Sequence, residues 1–331
     1  MPTDAGPSAP PQTADDRPSP GLRLRTSLAA AGMLPVLVAL CIAFSIANGR
    51  FASLQNAIVI LQQASVNLVL ACGMTFVILT AGIDLSVGSI LAAAAMAGLI
   101  VSLDPNLAML AIPAALAVGA GLGLLNGAMI AGLHLPPFIV TLGGLTAIRG
   151  IARLMGEDRS VFNSDLPYAV VGNGHIFGIP WLVVIALGVV LASWFILRRT
   201  VFGLYVYAIG GNPEAARLAG IKVGLMLVIV YGISGLLAGL GGVMASARLY
   251  AANGQQLGLM YELDAVAAVI LGGASLLGGA GSVWGTVVGA LIIAVLTNGL
   301  ILVGVSDVWQ FITKGLIIIG AVTLDRFRSS R

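Results

Sequence analysis

The feature that most constrains this chain is a succession of apolar runs, each about 20 residues long and almost free of charge. A helix of that length spans the hydrocarbon core of a bilayer. The runs lack the two-residue alternation typical of barrel strands, so they predict helices. Only 9% of the residues are charged, against about a quarter in an ordinary soluble domain. We therefore expect an all-α polytopic membrane protein.

The apolar runs predict about ten transmembrane helices. Residues 1–26, rich in Pro, Ser, Asp and Thr, are expected to form a disordered tail. The membrane domain is expected to cover residues 27–325, and residues 326–331 to form a short C-terminal tail. In order, the predicted spans lie near 28–47, 57–79, 87–103, 107–133, 137–154, 181–199, 224–246, 265–277, 283–303 and 308–324. Residues 156–179 and 248–264 are predicted to be polar loops.

Basic residues indicate the orientation of these spans. With the N-terminus inside, 10 of the 16 Lys and Arg fall on the cytoplasmic side. Cytoplasmic loops of membrane proteins carry such an excess, so the inverted topology is disfavoured. An even number of spans places both termini in the cytoplasm, together with residues 198–223.

Residues 198–223 are a polar, charged insert in an otherwise apolar chain. Asn212 is a preferred N-cap residue, Pro213 suits the first helical position, and Glu214 favours the positive end of the helix dipole. Gly220 is typical of a helix end. A helix of about two turns is marginal alone in water, so it must dock on something. It is either an interfacial helix that ties two spans together or a docking helix for a soluble cytoplasmic partner.

Three strings resemble those of bacterial ABC sugar-importer permeases of the ribose/xylose/galactoside type. They are GGNPEAARLAGI at 210–221, AGIDLSVGS at 81–89, and GLLNG at 123–127 followed by LPPFIVTLG at 135–143. The resemblance covers most of the chain from about residue 55, and it does not name a sugar.

The resemblance implies a coupling segment that contacts a separate cytoplasmic ATPase subunit. The residues that it assigns to coupling are Asn212, Pro213, Glu214, Ala215, Ala216, Arg217 and Gly220. On this helix we expect Ala215, Ala216 and Ala219 to face a partner groove. The resemblance also implies a periplasmic or extracellular substrate-binding protein and a second permease chain, as a homodimer or as a heterodimer with a close relative. The expected location is the bacterial plasma (inner) membrane.

Motifs for catalysis are missing from the sequence. There is no Gly-x-x-x-x-Gly-Lys-Ser/Thr phosphate loop, and no arrangement of Ser, His and Asp suggests a catalytic residue. His134 and His175 are expected on opposite sides of the membrane, so no metal site is predicted. The net charge of +3 is too small and too scattered to suggest nucleic acid. We therefore expect no cofactor in this chain. The resemblance implies that ATP and Mg²⁺ are bound by the separate ATPase subunit.

Polar residues inside the apolar runs are the candidates for solute transport. They would form either interhelical hydrogen bonds or the wall of a polar pathway. Either Asp84 or Ser86 is expected to cap the third span, with a gate or an ATPase contact as the alternative for Asp84. Lys314 is expected to extend outward to the interface, with an ion pair to an outer acidic residue as the alternative. The candidate pathway residues are Gln62, Gln63, Asn67, Asn126, Thr141 and Asn298.

Glycines on two of the predicted spans indicate close helix packing. Gly119, Gly121, Gly123 and Gly127 are expected to form one packing face. On the seventh span Gly232, Gly235, Gly239 and Gly242 stand three or four residues apart, which is one face of a helix.

Three functions compete at this point. The first is the membrane subunit of an ATP-driven importer of a sugar or a similar neutral polar solute. The second is the related permease type for branched-chain amino acids, against which the string at 81–89 argues. The third is a stand-alone ion-coupled transporter or channel, which would carry charged residues near mid-membrane; apart from Lys314 the span centres have none.

Overall fold

The computed structural model describes residues 33–329, and helices dominate it. The N-terminal tail, the start of the first predicted span and residues 330–331 lie outside the described residues. The longer helices are α1 Leu34–Ala47, α2 Leu54–Leu79, α3 Val87–Ser102, α4 Ala111–Gly132, α5 Pro137–Met155, α7 Trp181–Arg199, α8 Val201–Gly211, α10 Val223–Leu249, α11 Tyr261–Leu271, α12 Val283–Leu302 and α13 Asp307–Ser329. Two short helices, α6 Ala169–Asn173 and α9 Pro213–Leu218, complete the set.

The helices confirm a multi-pass membrane architecture. Six of them have the length and apolar composition needed to cross a bilayer: Leu54–Leu79, Ala108–Gly132, Pro137–Met155, Trp181–Arg199, Val223–Leu249 and Val283–Leu302. The stretch at 108–132 joins α4 to a preceding 3₁₀ turn at Ala108–Leu110. Each predicted span contains a helix. The count of ten crossings and the cytoplasmic termini stay predictions.

Glycine-mediated packing joins α4 to α10 at the centre of the fold. A Cβ atom built on Gly119 would meet the carbonyl oxygen of Gly235 at 2.5 Å, and one on Gly123 would lie 2.9 Å from Gly235 Cα. Gly127 packs in the same way against Val228. Only a residue without a side chain allows such an approach, so the predicted glycine face is confirmed at positions 119, 123 and 127.

Gly121 does not belong to that face. A Cβ atom there would meet nothing within 4 Å. Positions 119, 123 and 127 are four residues apart and share one side of a helix, whereas position 121 points to the opposite side. Its inclusion in the predicted packing face was wrong.

Both predicted polar loops contain regular structure, and they pair with each other. Strand β1, Ser160–Phe162, runs antiparallel to β4, Ala251–Asn253. A second pair is formed by β2, His175–Ile176, and β3, Ile179–Pro180. The 248–264 prediction also ended too late, because α11 begins at Tyr261.

The central insert is more helical than its polarity suggested. Helix α8, Val201–Gly211, occupies the first half of residues 198–223 and contributes Val206 and Ile209 to the core. A polar turn at Asn212 separates it from α9. The insert is therefore two helices docked on the membrane domain.

Candidate functional site

Helix α9 forms as its sequence predicts. Asn212 occupies the N-cap, and its Oδ1 accepts the backbone N–H groups of Glu214 at 3.1 Å and Ala215 at 3.0 Å. Pro213 takes the first helical position. Gly220 adopts a φ of +85°, a conformation that suits glycine and ends the helix. The predicted cap and stop are both confirmed.

The two faces of α9 have different environments. Ala216 is only 4% exposed and packs against its own chain, whereas Ala215 and Ala219 are exposed. Leu218 is 90% exposed, and the ion pair of Arg217 with Glu214, at 2.9 Å, lies at the surface. The prediction that Ala216 faces a partner was wrong, because this side chain anchors the helix to the membrane domain. The outward face is formed by Glu214, Ala215, Arg217, Leu218 and Ala219.

Helix α8 connects α9 to the interior of the fold. Gly210 lies directly against the carbonyl oxygen of Leu79, at the end of α2, and against the backbone nitrogen of Gly279. The N–H of Gly279 donates to Leu79 O at 3.0 Å, and the Tyr207 hydroxyl donates to Gly281 O at 2.9 Å. A displacement of α8 would therefore act on both α2 and the segment at 272–282.

Asp84 lies at the centre of a buried hydrogen-bond network between α2 and α3. Its side chain is inaccessible to solvent. Oδ1 accepts the backbone N–H of Ser86 at 3.0 Å and its hydroxyl at 2.6 Å, and Oδ2 accepts the hydroxyl of Ser234 at 3.0 Å. Asn126 donates from Nδ2 to Ser86 Oγ at 2.8 Å. The network joins the 81–86 turn to α4 and α10.

This network changes the expectation for the start of α3. Ser86 occupies the N-cap position, but its side chain makes no capping hydrogen bond. Its hydroxyl serves Asp84 instead, so its predicted role as a side-chain cap was wrong. Asp84 holds the N–H of Ser86 in the turn before the helix. Because it is fully enclosed by its own chain, a direct contact with an ATPase is not available to it.

Two of the candidate pathway residues support the same part of the fold, and a third joins two helices elsewhere. Asn126 takes part in the Asp84 network, and the Thr141 hydroxyl donates to Ile83 O at 3.1 Å. Asn298 Oδ1 accepts from Asn56 Nδ2 at 2.9 Å, which ties α12 to α2. These contacts are the interhelical hydrogen bonds that membrane helices use.

The remaining candidates lie on α2, and two of them meet in a polar cavity. Gln63 and Asn67 line a cavity of about 310 Å³ between α2, α10, α11, α12 and α13, while Gln62 is not in its wall. Gln63 Oε1 and Asn67 Oδ1 are buried and have no hydrogen-bond partner among the described residues. The other polar residues of the wall are Arg248, Tyr261, Asp264, Thr297 and Lys314.

Most of these wall residues were missed at the sequence level. Arg248, Tyr261 and Asp264 fall in the stretch predicted as an outer loop, although Asp264 stands in a helical pattern with Ala265, Ala267 and Ala268. The helix continues into apolar residues with no break after Asp264, and that continuity was the available signal.

Lys314 closes one side of the cavity through an ion pair with Asp264. Nζ lies 2.9 Å from Oδ2, and the two side chains are 21% and 7% exposed, respectively. The prediction that Lys314 extends outward alone was wrong, and the alternative, pairing with an acidic residue, is confirmed. Each charge neutralises the other, which lowers the cost of placing both in the membrane domain.

A metal centre finds no support in the part of the chain that the structure describes. No three residues among its His, Cys, Asp and Glu side chains lie close enough to hold a metal ion.

Several known proteins are similar to this chain over most of its length. The family described as "Branched-chain amino acid transport system / permease component" matches residues 56–322. The ribose import permease protein of Escherichia coli K12 is 45% identical over 88% of this chain and 92% of its own length. That of Bacillus subtilis is 43% identical over 89% and 92%, respectively. The galactose/methyl galactoside import permease protein of E. coli K12 is 38% identical over 92% and 96%. No solved structure matches the chain.

Proposed function

We infer that this chain, which belongs to the family of the ribose and galactose import permeases, is the membrane-spanning subunit of an ATP-driven sugar importer. The relatives are named for ribose, galactose and methyl galactoside, and a further one for D-allose. All of these solutes are small, uncharged and rich in hydroxyl groups. The substrate class that we propose is therefore a neutral monosaccharide or a similar polyol.

The observation that carries this proposal is the division of α9 into a docked face and a free face. Ala216 holds the helix to the membrane domain, while Leu218 and the Glu214–Arg217 pair stay exposed. An apolar side chain that is 90% exposed next to charged residues suits a protein contact outside the bilayer. We propose that this face binds the ATPase subunit, which supplies the ATP and Mg²⁺ sites. In this proposal the inner face of α9 ties the helix to the membrane domain, and the outer face docks the ATPase subunit.

The proposal includes further partners. A binding protein outside the cell would deliver the solute, and a second permease chain, identical or closely related, would complete the pathway. The membrane is the bacterial plasma membrane, with α9 and both termini in the cytoplasm. A cysteine placed at Ala215 should react with impermeant reagents only from the inside, and labelling of intact cells from the outside would contradict this orientation. A functional complex with one permease chain would contradict the dimer.

The branched-chain amino acid permease remains the second candidate, because the family description contains that substrate. The named relatives, which cover about nine-tenths of this chain, favour sugars. The charge of the solute distinguishes the two candidate functions, because an amino acid carries an ammonium and a carboxylate group whereas a sugar is uncharged.

Reconstituted transport tests the proposal directly. The chain, its ATPase and its binding protein are placed in proteoliposomes, and uptake of labelled D-ribose, D-galactose, D-allose and L-leucine is measured with and without ATP at the cytoplasmic face. We expect ATP-dependent uptake of at least one sugar and none of leucine. Leucine uptake would favour the second candidate, and sugar uptake driven by an ion gradient without ATP would overturn the proposal.

A further inference from the structure

The cavity beside Asp264 has the chemistry of a small-molecule site inside the membrane domain. Its volume of about 310 Å³ lies at the lower end of the range typical of ligand pockets, which suits a small solute. Amide, hydroxyl, phenol and charged groups share its wall with the apolar side chains of Val66 and Ile293. A wall that mixes a few directed polar groups with apolar surface is typical of ligand sites.

Unused hydrogen-bonding capacity points to a ligand rather than to internal packing. Gln63 Oε1 and Asn67 Oδ1 are both buried, and each lacks a donor among the described residues. An unpaired buried acceptor costs about 1–3 kcal/mol, so proteins rarely retain two of them side by side. Both belong to α2, four residues apart, and therefore lie on the same face of that helix.

The ion pair adds further donors and acceptors. An ammonium group has three donors, and Lys314 uses one of them on Asp264. Lys314 engages only Oδ2 of the Asp264 carboxylate. Hydrogen bonds to charged groups are about twice as strong as those between neutral groups, so this pair would hold hydroxyl groups well.

The charge balance of the wall favours an uncharged ligand. Lys314 and Asp264 neutralise each other. Arg248 stands in the last turn of α10, where the negative end of the helix dipole offsets part of its charge. A cationic ligand would have no free counter-ion in this enclosed space, which is costly. An anionic ligand would have Arg248 as a counter-ion, but it would share the cavity with the Asp264 carboxylate.

We propose that this cavity is a solute-binding site of the permease itself, which holds one neutral, hydroxyl-rich molecule of monosaccharide size during transport. Gln63 and Asn67 accept hydroxyl protons from the solute, and the Lys314–Asp264 pair binds other hydroxyl groups. The inference rests on the proposed function and adds to it a binding step within this chain. In the predicted orientation the cavity lies in the outer half of the membrane domain, on the side where solute arrives.

Direct binding to the permease–ATPase complex, without the binding protein, tests this site. Saturation-transfer NMR suits weak ligands, and the probes are D-ribose and D-allose, with anionic D-ribonate for comparison. We expect saturation transfer to at least one sugar and little to D-ribonate. Asn67→Ala, Gln63→Ala and the nearly isosteric Thr297→Val should each weaken apparent affinity about three- to tenfold, the effect of one lost hydrogen bond.

Gln62→Ala is the matched control, because Gln62 is the same residue type on the same helix but lies outside the cavity wall. It should leave binding unchanged. Equal binding by wild type, Asn67→Ala and Thr297→Val in folded complexes would overturn the site, as would no binding of either sugar to the wild type. Equal saturation of D-ribonate would overturn the preference for a neutral ligand. ATP-dependent sugar uptake by the wild type, measured separately, decides whether the proposed function itself has failed.

Discussion

Lys314 Nζ and Asp264 Oδ2 lie 2.9 Å apart, and this contact joins α13 to α11 across 50 residues of sequence. Both side chains belong to helices of a membrane domain, where a charge without a partner is expensive. Each residue therefore supplies the counter-charge that the other needs in this environment. The pair also fixes the last helix of the chain against the wall of the polar cavity.

Removing one member of this pair should destabilise the protein more than removing both. Lys314→Met leaves the carboxylate of Asp264 buried without a partner, and we expect a loss of about 3–5 kcal/mol in unfolding free energy. The double variant Lys314→Met with Asp264→Leu should recover most of that loss. Denaturant unfolding in detergent of the wild type, the two single variants and the double variant measures these differences. A double variant no more stable than Lys314→Met would contradict this account.

The exposed ion pair of Arg153 with Asp158 supplies the control. Its atoms are 2.8 Å apart, but both side chains are about half exposed. The hydrogen bond from Arg153 holds the pKa of Asp158 below its usual value. Any stabilisation from this pair is therefore present above the normal pKa of an Asp side chain and is lost as the pH falls. Because water screens the pair, Arg153→Met should leave stability unchanged within error at neutral pH.

The elements with local signals were predictable from the sequence. The apolar runs located the helices, and Asn212, Pro213 and Gly220 defined the two ends of α9 because capping depends on residues within one turn. The four-residue glycine spacing on α4 predicted its packing face for the same reason, apart from Gly121.

Features that depend on distant partners were not predictable. Asp264 was predicted to lie in a loop, because no residue near it in sequence indicates its ion pair with Lys314, 50 residues away. The inward direction of Ala216 follows from the docking of α8 and α9 on the membrane domain, and a helix of two turns has no stripe long enough to reveal it. The cavity unites side chains from five helices, and only the assembled bundle brings them together.

Glycine substitutions on α4 should separate close packing from helix propensity. Gly123→Ala would press a methyl group against the backbone of α10, where the built Cβ lies 2.9 Å from Gly235 Cα. Overpacking of this kind costs about 1–3 kcal/mol. Gly121→Ala meets open space, so better helix propensity should leave stability equal or higher. Unfolding of both variants under the same conditions tests this, and equal losses would refute the assignment of the two faces.

The buried carboxylate of Asp84 should be required for assembly of the membrane domain. Asp84→Leu removes the acceptor for the hydroxyls of Ser86 and Ser234 and leaves polar groups unsatisfied in an enclosed space. We expect a loss of at least about 2 kcal/mol, whereas Ser234→Ala, which removes one donor of three, should cost about 1 kcal/mol. If Asp84→Leu retained full stability but lost transport, Asp84 would act as a gate instead.

The two faces of α9 should respond to substitution in opposite ways. Ala216→Arg places a long charged side chain in a buried position, so the permease should lose thermal stability even without its ATPase. Ala215→Arg, one position earlier, projects into solvent and should leave the isolated permease unchanged. Leu218→Asp should likewise keep the fold, but it replaces an exposed apolar contact with a charge and should weaken ATPase binding by about tenfold or more.

Three measurements on these variants test whether the exposed face of α9 binds the ATPase. They are melting of the permease alone, capture of the ATPase, and sugar-stimulated ATP hydrolysis by the complete transporter. Leu218→Asp should lower the second and third without affecting the first, while basal hydrolysis by the isolated ATPase stays constant. Ala216→Arg should lower all three, because a misdocked α9 cannot present its outer face. Normal capture and stimulation in Leu218→Asp would show that the ATPase binds elsewhere and that α9 serves only as a tether.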